Sequence, residues 1–180
     1  TNLPNLKDIE SMLSLLENFG VLVKKNKHHV ILNASNLQNN IADYDLVRKM
    51  RASILVLGPL LTRFKETKIS LPGGCAIGTR PIDIHLDALS KLGVEFEIEN
   101  GFVKANVKNK LIGANINLPF PSVGATENII MAATKAEGLT IIDNAAKEPE
   151  IVDLAHLLIK MGANISGEGT SSILIKGVKN

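Results

Sequence analysis

The chain's one cysteine, Cys75, stands in the stretch SLPGGCAIGTRPID, behind Leu71-Pro72-Gly73-Gly74 and five residues ahead of Arg80. A lone thiol is most often small core filling, because free Cys is among the most buried residue types. Here the breakers Pro72-Gly73-Gly74 before it and Ala76-Ile77-Gly78 after it read as a loop, where a thiol is wasted as filling. In an electropositive, partly open place a thiol titrates low enough to serve as acid, base or nucleophile near neutral pH, and Arg80 supplies the charge. Thr79-Arg80-Pro81 reads as a helix start, with Pro at the first helical position. Backbone N–H groups there, with a guanidinium fork, favour phosphate or carboxylate. Asp83 in the same first turn reads equally well as a partner of the helix dipole or as a ligand contact.

A second such place is Pro119-Phe120-Pro121-Ser122-Val123-Gly124, which leads into a helix from Ala125. Ser122 is a cap candidate and Gly124 lets another group approach the backbone closely. Such stretches mostly just cap helices, but two anion-competent helix starts in one chain suit a substrate with more than one phosphate. Arg51 precedes an almost wholly apolar run, Ala52 to Leu61, and reads as a side chain snorkelling from a helix edge or as a ligand contact. Lys147-Glu148-Pro149-Glu150 opens a later helix, where acids serve the dipole. His28, His29, His85 and His156 show no metal-ligand spacing, so no metal is expected, and the first two read as a solvated turn. No GxGxxG follows a strand and no Walker A pattern is present.

The elements that must hold these groups come as one phrase written three times: amphipathic helix, Gly, short apolar strand, turn, second strand. In the first copy Ile9, Met12, Leu13 and Leu16 mark the stripe and Gly20 the stop; in the second, Ile82, Leu86 and Leu89 with Gly93; in the third, Ile151, Leu154, Leu158 and Met161 with Gly162. Each glycine stands where a left-handed C-cap residue is wanted. Between copies lie more apolar helices, expected over Tyr44 to Phe64 and Ala125 to Glu137, each followed by a strand, TKISL or LTIID. Helices of nearly pure Ala, Ile, Leu and Met are expected to be buried on most sides within layers of sheet. The fold class is therefore α/β, with mixed sheets around internal helices. Three hairpin helices have only two core helices, and the chain opens at Thr1 rather than Met. Residues 1–180 are accordingly expected to form a single lobe of a longer polypeptide, with a third core helix supplied from outside it.

Composition narrows the class further. With 45% hydrophobic and 21% charged residues, the chain has a packed core and is not disordered. One Cys cannot close an internal disulfide and no apolar run reaches membrane-spanning length, so a soluble, cytoplasmic protein without membrane partners is expected. A net charge of +2 with scattered Lys and Arg, and only 3% aromatics, argue against a nucleic-acid surface.

The segments LPGGCAIGTRPIDIHLDAL, SVGATENIIMAAT, AEGLTIIDNAAKEPEIVDLAHLLIKMGANISGEGT and MRASILVLGPLL together resemble the UDP-N-acetylglucosamine 1-carboxyvinyltransferases, the enolpyruvyl transferases of peptidoglycan synthesis. The resemblance covers essentially the whole chain, and GGC-x-x-G-x-R-P-x-D separates it from the shikimate-pathway relatives, which lack the cysteine loop. It implies a two-lobed enzyme, each lobe an inside-out α/β barrel of three repeated units. The implied reaction moves the enolpyruvyl group of phosphoenolpyruvate to the 3-hydroxyl of UDP-N-acetylglucosamine, with no cofactor. By resemblance Cys75 is the general acid, the site of a phosphoenolpyruvate adduct and the target of fosfomycin. Arg80 grips phosphate, and Arg51 is a further binding-site arginine. Arg80, Pro81, Ile82, Asp83 and Ile84 form part of the UDP-sugar site, and Ser122, Val123 and Gly124 cradle the uridine diphosphate. Phe120 stands where relatives often carry a basic residue, which removes a charged nucleotide contact there. The family's N-terminal Lys-Asn pair, and the acid and arginine of the other lobe, have no match, so this stretch alone is expected to turn over no substrate. A noncatalytic nucleotide-sugar-binding lobe and a shikimate-type transferase are the alternatives.

Overall fold

The computed structural model describes residues 1–42, 44–47, 50–71 and 82–179, with the side chain of Arg51 left out. The described chain falls into two compact units. One comprises Thr1–Ile54, Thr67–Arg80 and Ile98–Lys104, the other Leu55–Glu66, Pro81–Glu97 and Ala105–Asn180.

In the first unit, helix α1 (Lys7–Asn18) leads into the antiparallel hairpin β1 (Leu22–Asn26) and β2 (His29–Asn33), with Val23 opposite Leu32. The expected stripe of Ile9, Met12, Leu13 and Leu16 is half-buried, and the fully covered positions are Leu15 and Phe19. His28 and His29 are exposed, as the solvated-turn reading has it, and His28 Nδ1 lies 2.9 Å from the Leu3 carbonyl oxygen. Strand β3 (Ile41–Ala42) runs parallel to β4 (Glu66–Ser70), and helix α2 (Tyr44–Val47) follows β3.

The helix expected over Tyr44 to Phe64 is broken into three pieces. After α2 comes a 3-10 helix, Arg51–Val56, and then α3 (Leu57–Phe64). Pro59 gives the reason for the junction between the 3-10 helix and α3: it has no N–H to offer the Leu55 carbonyl and its ring clashes there, so an α-helix cannot run through that point from upstream. As the third residue of α3, Pro59 sits in a first turn, where the missing donor costs little.

The second unit carries helices α4 (Asp83–Lys91), α5 (Val123–Ala133) and α6 (Pro149–Lys160). Strands β5 (Glu95–Glu99) and β6 (Phe102–Asn106) form a hairpin whose turn, within Ile98–Lys104, belongs to the first unit, and Asn100 and Gly101 at that turn have φ of 52° and 78°. Those left-handed angles are what a two-residue Asn-Gly hairpin turn requires. Strands β7 (Asn115–Asn117), β8 (Leu139–Asp143), β9 (Asn164–Ser166) and β10 (Ser172–Lys176) form a mixed sheet in the order β7-β8-β10-β9, parallel at β7/β8 and antiparallel elsewhere. Register puts Ile116, Ile142 and Ile173 in one buried row and Thr140, Ile175 and Ile165 in the next, on the face that α5 and α6 cover. Each such Ile contributes about 1.5–3 kcal/mol by leaving water.

The three glycine stops behave alike. Gly20, Gly93 and Gly162 have φ of 94°, 93° and 100°. Behind each, the paired bonds of a Schellman cap close: Gly20 and Val21 N–H donate to Glu17 and Leu16 O, Gly93 and Val94 to Ser90 and Leu89, Gly162 and Ala163 to Ile159 and Leu158. The stripe of α6 differs from expectation at its end: Ile151 and Ala155 are buried, Leu154 and Leu158 half-buried, and Met161 is 73% exposed. Met161 is the C-cap residue, where the chain already turns away from the covered face. As expected, α5 is covered almost all round, with Ala125, Ile129, Ile130, Ala132 and Ala133 at 0% exposure.

Candidate functional site

The start of α5 is built as its sequence reads. Ser122 is extended (φ −102°, ψ 117°), and its Oγ accepts the Ala125 N–H at 3.3 Å. That is the Ncap arrangement, one orphan donor of the first turn met by a side chain. The loop before it is tied down on both sides. Leu118 N–H donates to Asp143 O, and Asn144 Nδ2 donates to Leu118 O. Thr126 Oγ1 donates to Ser122 O at 2.7 Å and accepts the Ala146 N–H at 3.1 Å. Ser122, Val123 and Gly124 are half-buried, so the turn is fixed yet reachable, and Phe120 beside it is 55% exposed.

The start of α4 is built differently. Ile82 occupies the cap position in a helical conformation and offers no side-chain acceptor. It is buried, Asp83 is exposed and Ile84 half-buried. His85 completes the turn, with its N–H donating to Ile82 O at 2.9 Å. Its ring is only 8% exposed, and burial lowers the imidazole from 6.5 to about 4, so it is neutral near pH 7.

The His85 ring is held by α5. Asn128 Oδ1 accepts the Gly58 N–H of α3 at 2.9 Å, which turns the Asn128 Nδ2 donor toward His85 Nδ1, 3.0 Å away. A Cβ placed on Gly124 would stand 3.1 Å from His85 Cε1, so the ring packs directly against the Gly124 backbone. A Cβ on Gly58 would stand 2.7 Å from the Asn128 backbone oxygen, so α3 and α5 touch there with no room for any side chain. Thus Ile82–Ile84 and Ser122–Gly124, which the sequence puts about forty residues apart, head two helices packed on each other through one imidazole.

Sequence reasoning named none of His85, Asn128 and Gly58 as site residues. The signals were an imidazole on the apolar side of α4, a single amide inside ATENIIMAAT, and a Gly-Pro within an apolar run. Cys75, Arg80 and Pro81 lie outside the described residues. Arg51 is the first residue of the 3-10 helix. The acids of Lys147–Glu150 stand where dipole partners belong, with Glu150 in the first turn of α6 and Pro149 at its first position. Glu127 on α5 has its carboxyl raised by burial and by the like charge of Glu150. Among the described residues no group of His, Cys, Asp and Glu could hold a metal ion. A cleft of about 470 Å³ lies in the first unit, lined by Lys7, Glu10, Ser11, Ser14 and Leu46, and shares no residue with this site.

Comparison with known proteins bears on the family. The model of the EPSP synthase (3-phosphoshikimate 1-carboxyvinyltransferase) family matches residues 1–180. A UDP-N-acetylglucosamine 1-carboxyvinyltransferase of Pelagibacter ubique is 54% identical over 179 residues, 99% of this chain and 43% of the relative. That of Baumannia cicadellinicola subsp. Homalodisca coagulata is 55% identical over 177 residues, 98% of this chain and 42% of the relative. The chain thus spans about 43% of the length of the curated relatives it matches. Among solved structures, the enolpyruvyl transferase NikO from Streptomyces tendae matches at TM-score 0.85 and 18% identity, over 98% of this chain and 41% of that one. EPSP synthase from Acinetobacter baumannii matches at 0.72 and 21%, over 95% and 40%. These two likenesses establish the α/β fold expected from the sequence.

Proposed function

The chain belongs to the EPSP synthase (3-phosphoshikimate 1-carboxyvinyltransferase) family, and from that premise we propose that it is the cysteine-loop lobe of a two-lobed enzyme acting on phosphoenolpyruvate and UDP-N-acetylglucosamine. The observation that carries the reading is identity above 50% along nearly the whole chain to relatives that bear the activity's name, against 21% to an EPSP synthase of the same fold. The GGC-x-x-G-x-R-P-x-D segment favours the same choice.

In this reading the 3-hydroxyl oxygen of the sugar gives up its proton to a base of the second lobe and bonds to C2 of phosphoenolpyruvate, while the Cys75 thiol gives its proton to the methylene carbon. A tetrahedral ketal results. Loss of phosphate from C2 and of a proton from the methyl carbon then restores the double bond as an enol ether. Arg80 and Arg51 hold anionic groups, for which a planar, permanently charged fork is suited. Ile82, Asp83 and Ile84 line the nucleotide-sugar site with Pro81, and the start of α5 at Ser122, Val123 and Gly124 takes the diphosphate. The remaining catalytic groups come from the second lobe, and the enzyme works in the cytoplasm, where peptidoglycan precursors are made. Among the described residues no helix is long and apolar enough to cross a membrane.

Mass spectrometry of the full-length polypeptide after fosfomycin tests the reading. One adduct on the Cys75 peptide is expected, absent in Cys75→Ser. An unmodified Cys75, or modification that survives the substitution, overturns the assigned role.

A further inference from the structure

We infer that His85 is a positioning residue that sets the separation of the two helix starts of the nucleotide-sugar site, its ring clamped between the Asn128 amide and the Gly124 backbone. The inference rests on the proposed function for what the two starts bind, and on geometry alone for the clamp.

Gly124 and Asn128 are four residues apart, one above the other on the same face of α5, and the His85 ring meets both. Its Nδ1 accepts a hydrogen bond from Asn128 Nδ2, while its Cε1 edge fills the space where residue 124 would otherwise carry a side chain. The ring's own backbone belongs to the turn that bears Ile82, Asp83 and Ile84. One rigid plane therefore spans from that turn to the turn that bears Ser122, Val123 and Gly124. The clamp is itself anchored, because the Gly58 N–H fixes which way the Asn128 amide faces. With Asn128 as the donor, Nδ1 must be an acceptor and the single ring proton sits on Nε2. A side chain that cannot accept from Asn128, or a charged ring, would let the two starts shift, and groups that must meet one diphosphate sugar would lose register.

The experiment uses the full-length polypeptide, comparing wild type, His85→Ala and His85→Asn for UDP-N-acetylglucosamine binding by calorimetry and for KM and kcat. The Asn amide oxygen stands where Nδ1 stood and can accept from Asn128. His85→Ala is expected to raise Kd and KM for the nucleotide sugar by about tenfold or more, with a smaller change in kcat, as loss of binding-site register predicts. His85→Asn is expected to recover most of that loss. Should His85→Ala not fold, the Asn variant and a selectively labelled wild type still decide. The His85 spectrum must show a neutral ring protonated at Nε2, and an Nδ1-protonated or charged ring at pH 7 overturns the clamp. Wild-type-like Kd and KM in folded His85→Ala, or equal impairment in both variants, overturns the positioning role. A wild type that binds no nucleotide sugar but shows the Nε2 tautomer instead overturns the proposed function and the consequence drawn for binding, leaving the clamp standing.

Discussion

The starts of α5 and α4 show two ways of presenting a helix N-terminus. The α5 start is self-sufficient: Ser122 caps it, Thr126 returns to the Ser122 carbonyl and accepts the Ala146 N–H, and the preceding loop is bonded to Asp143 and Asn144. The α4 start has an aliphatic residue at its cap and takes its position from tertiary contacts, through the buried His85 and Asn128 to α3 and α5. A locally capped start resists loss of a distant contact. One placed by packing follows whatever moves its neighbours.

The largest effect should come from Asn128→Leu, which leaves the Gly58 N–H without its acceptor and His85 without its donor. A loss of about 2–4 kcal/mol in denaturant melting is expected, since each stranded buried group costs on the order of 1–3 kcal/mol. A loss below that range would mean α4 is not held through this amide. Acid comes next. The folded ring titrates near 4 and the unfolded one near 6.5, so the unfolded chain binds the extra proton between those values. This contribution is therefore whole above pH 6.5 and is lost as pH falls toward 4, amounting to on the order of 3 kcal/mol. The difference in stability between wild type and His85→Asn, followed over that range, should carry the slope, and a flat difference would contradict it. Gly58→Ala puts a carbon against the Asn128 backbone oxygen and should cost about 1–3 kcal/mol as overpacking. Ser122→Ala removes one long cap bond and should cost about 1 kcal/mol or less. If Ser122→Ala cost more than Asn128→Leu, the contrast between the two starts would be reversed.

Much of this was legible in the sequence, for local reasons. The glycine stops, the Ser122 cap and Pro149 at the start of α6 each follow from one residue's own φ or side-chain oxygen, and all stand in the structure. The apolar composition of α5 likewise announced its burial. What escaped depended on partners distant in the chain. The His85–Asn128–Gly58 chain spans 70 residues at its ends, and no periodicity reports which face of α5 an imidazole from α4 will meet. The apolar run over Tyr44 to Phe64 does not form one helix, because Pro59 stops an α-helix from running through from Leu55, and apolar pattern alone does not show that. Met161 stands beyond the last turn of α6, where the stripe's period no longer decides which side faces the sheet.

The central claim is the acceptor of the enolpyruvyl group, and it is tested most directly by phosphate release from phosphoenolpyruvate by the full-length polypeptide. Release that depends on UDP-N-acetylglucosamine and is absent with 3-phosphoshikimate is the predicted result. Release with 3-phosphoshikimate, or with neither acceptor, would contradict the account.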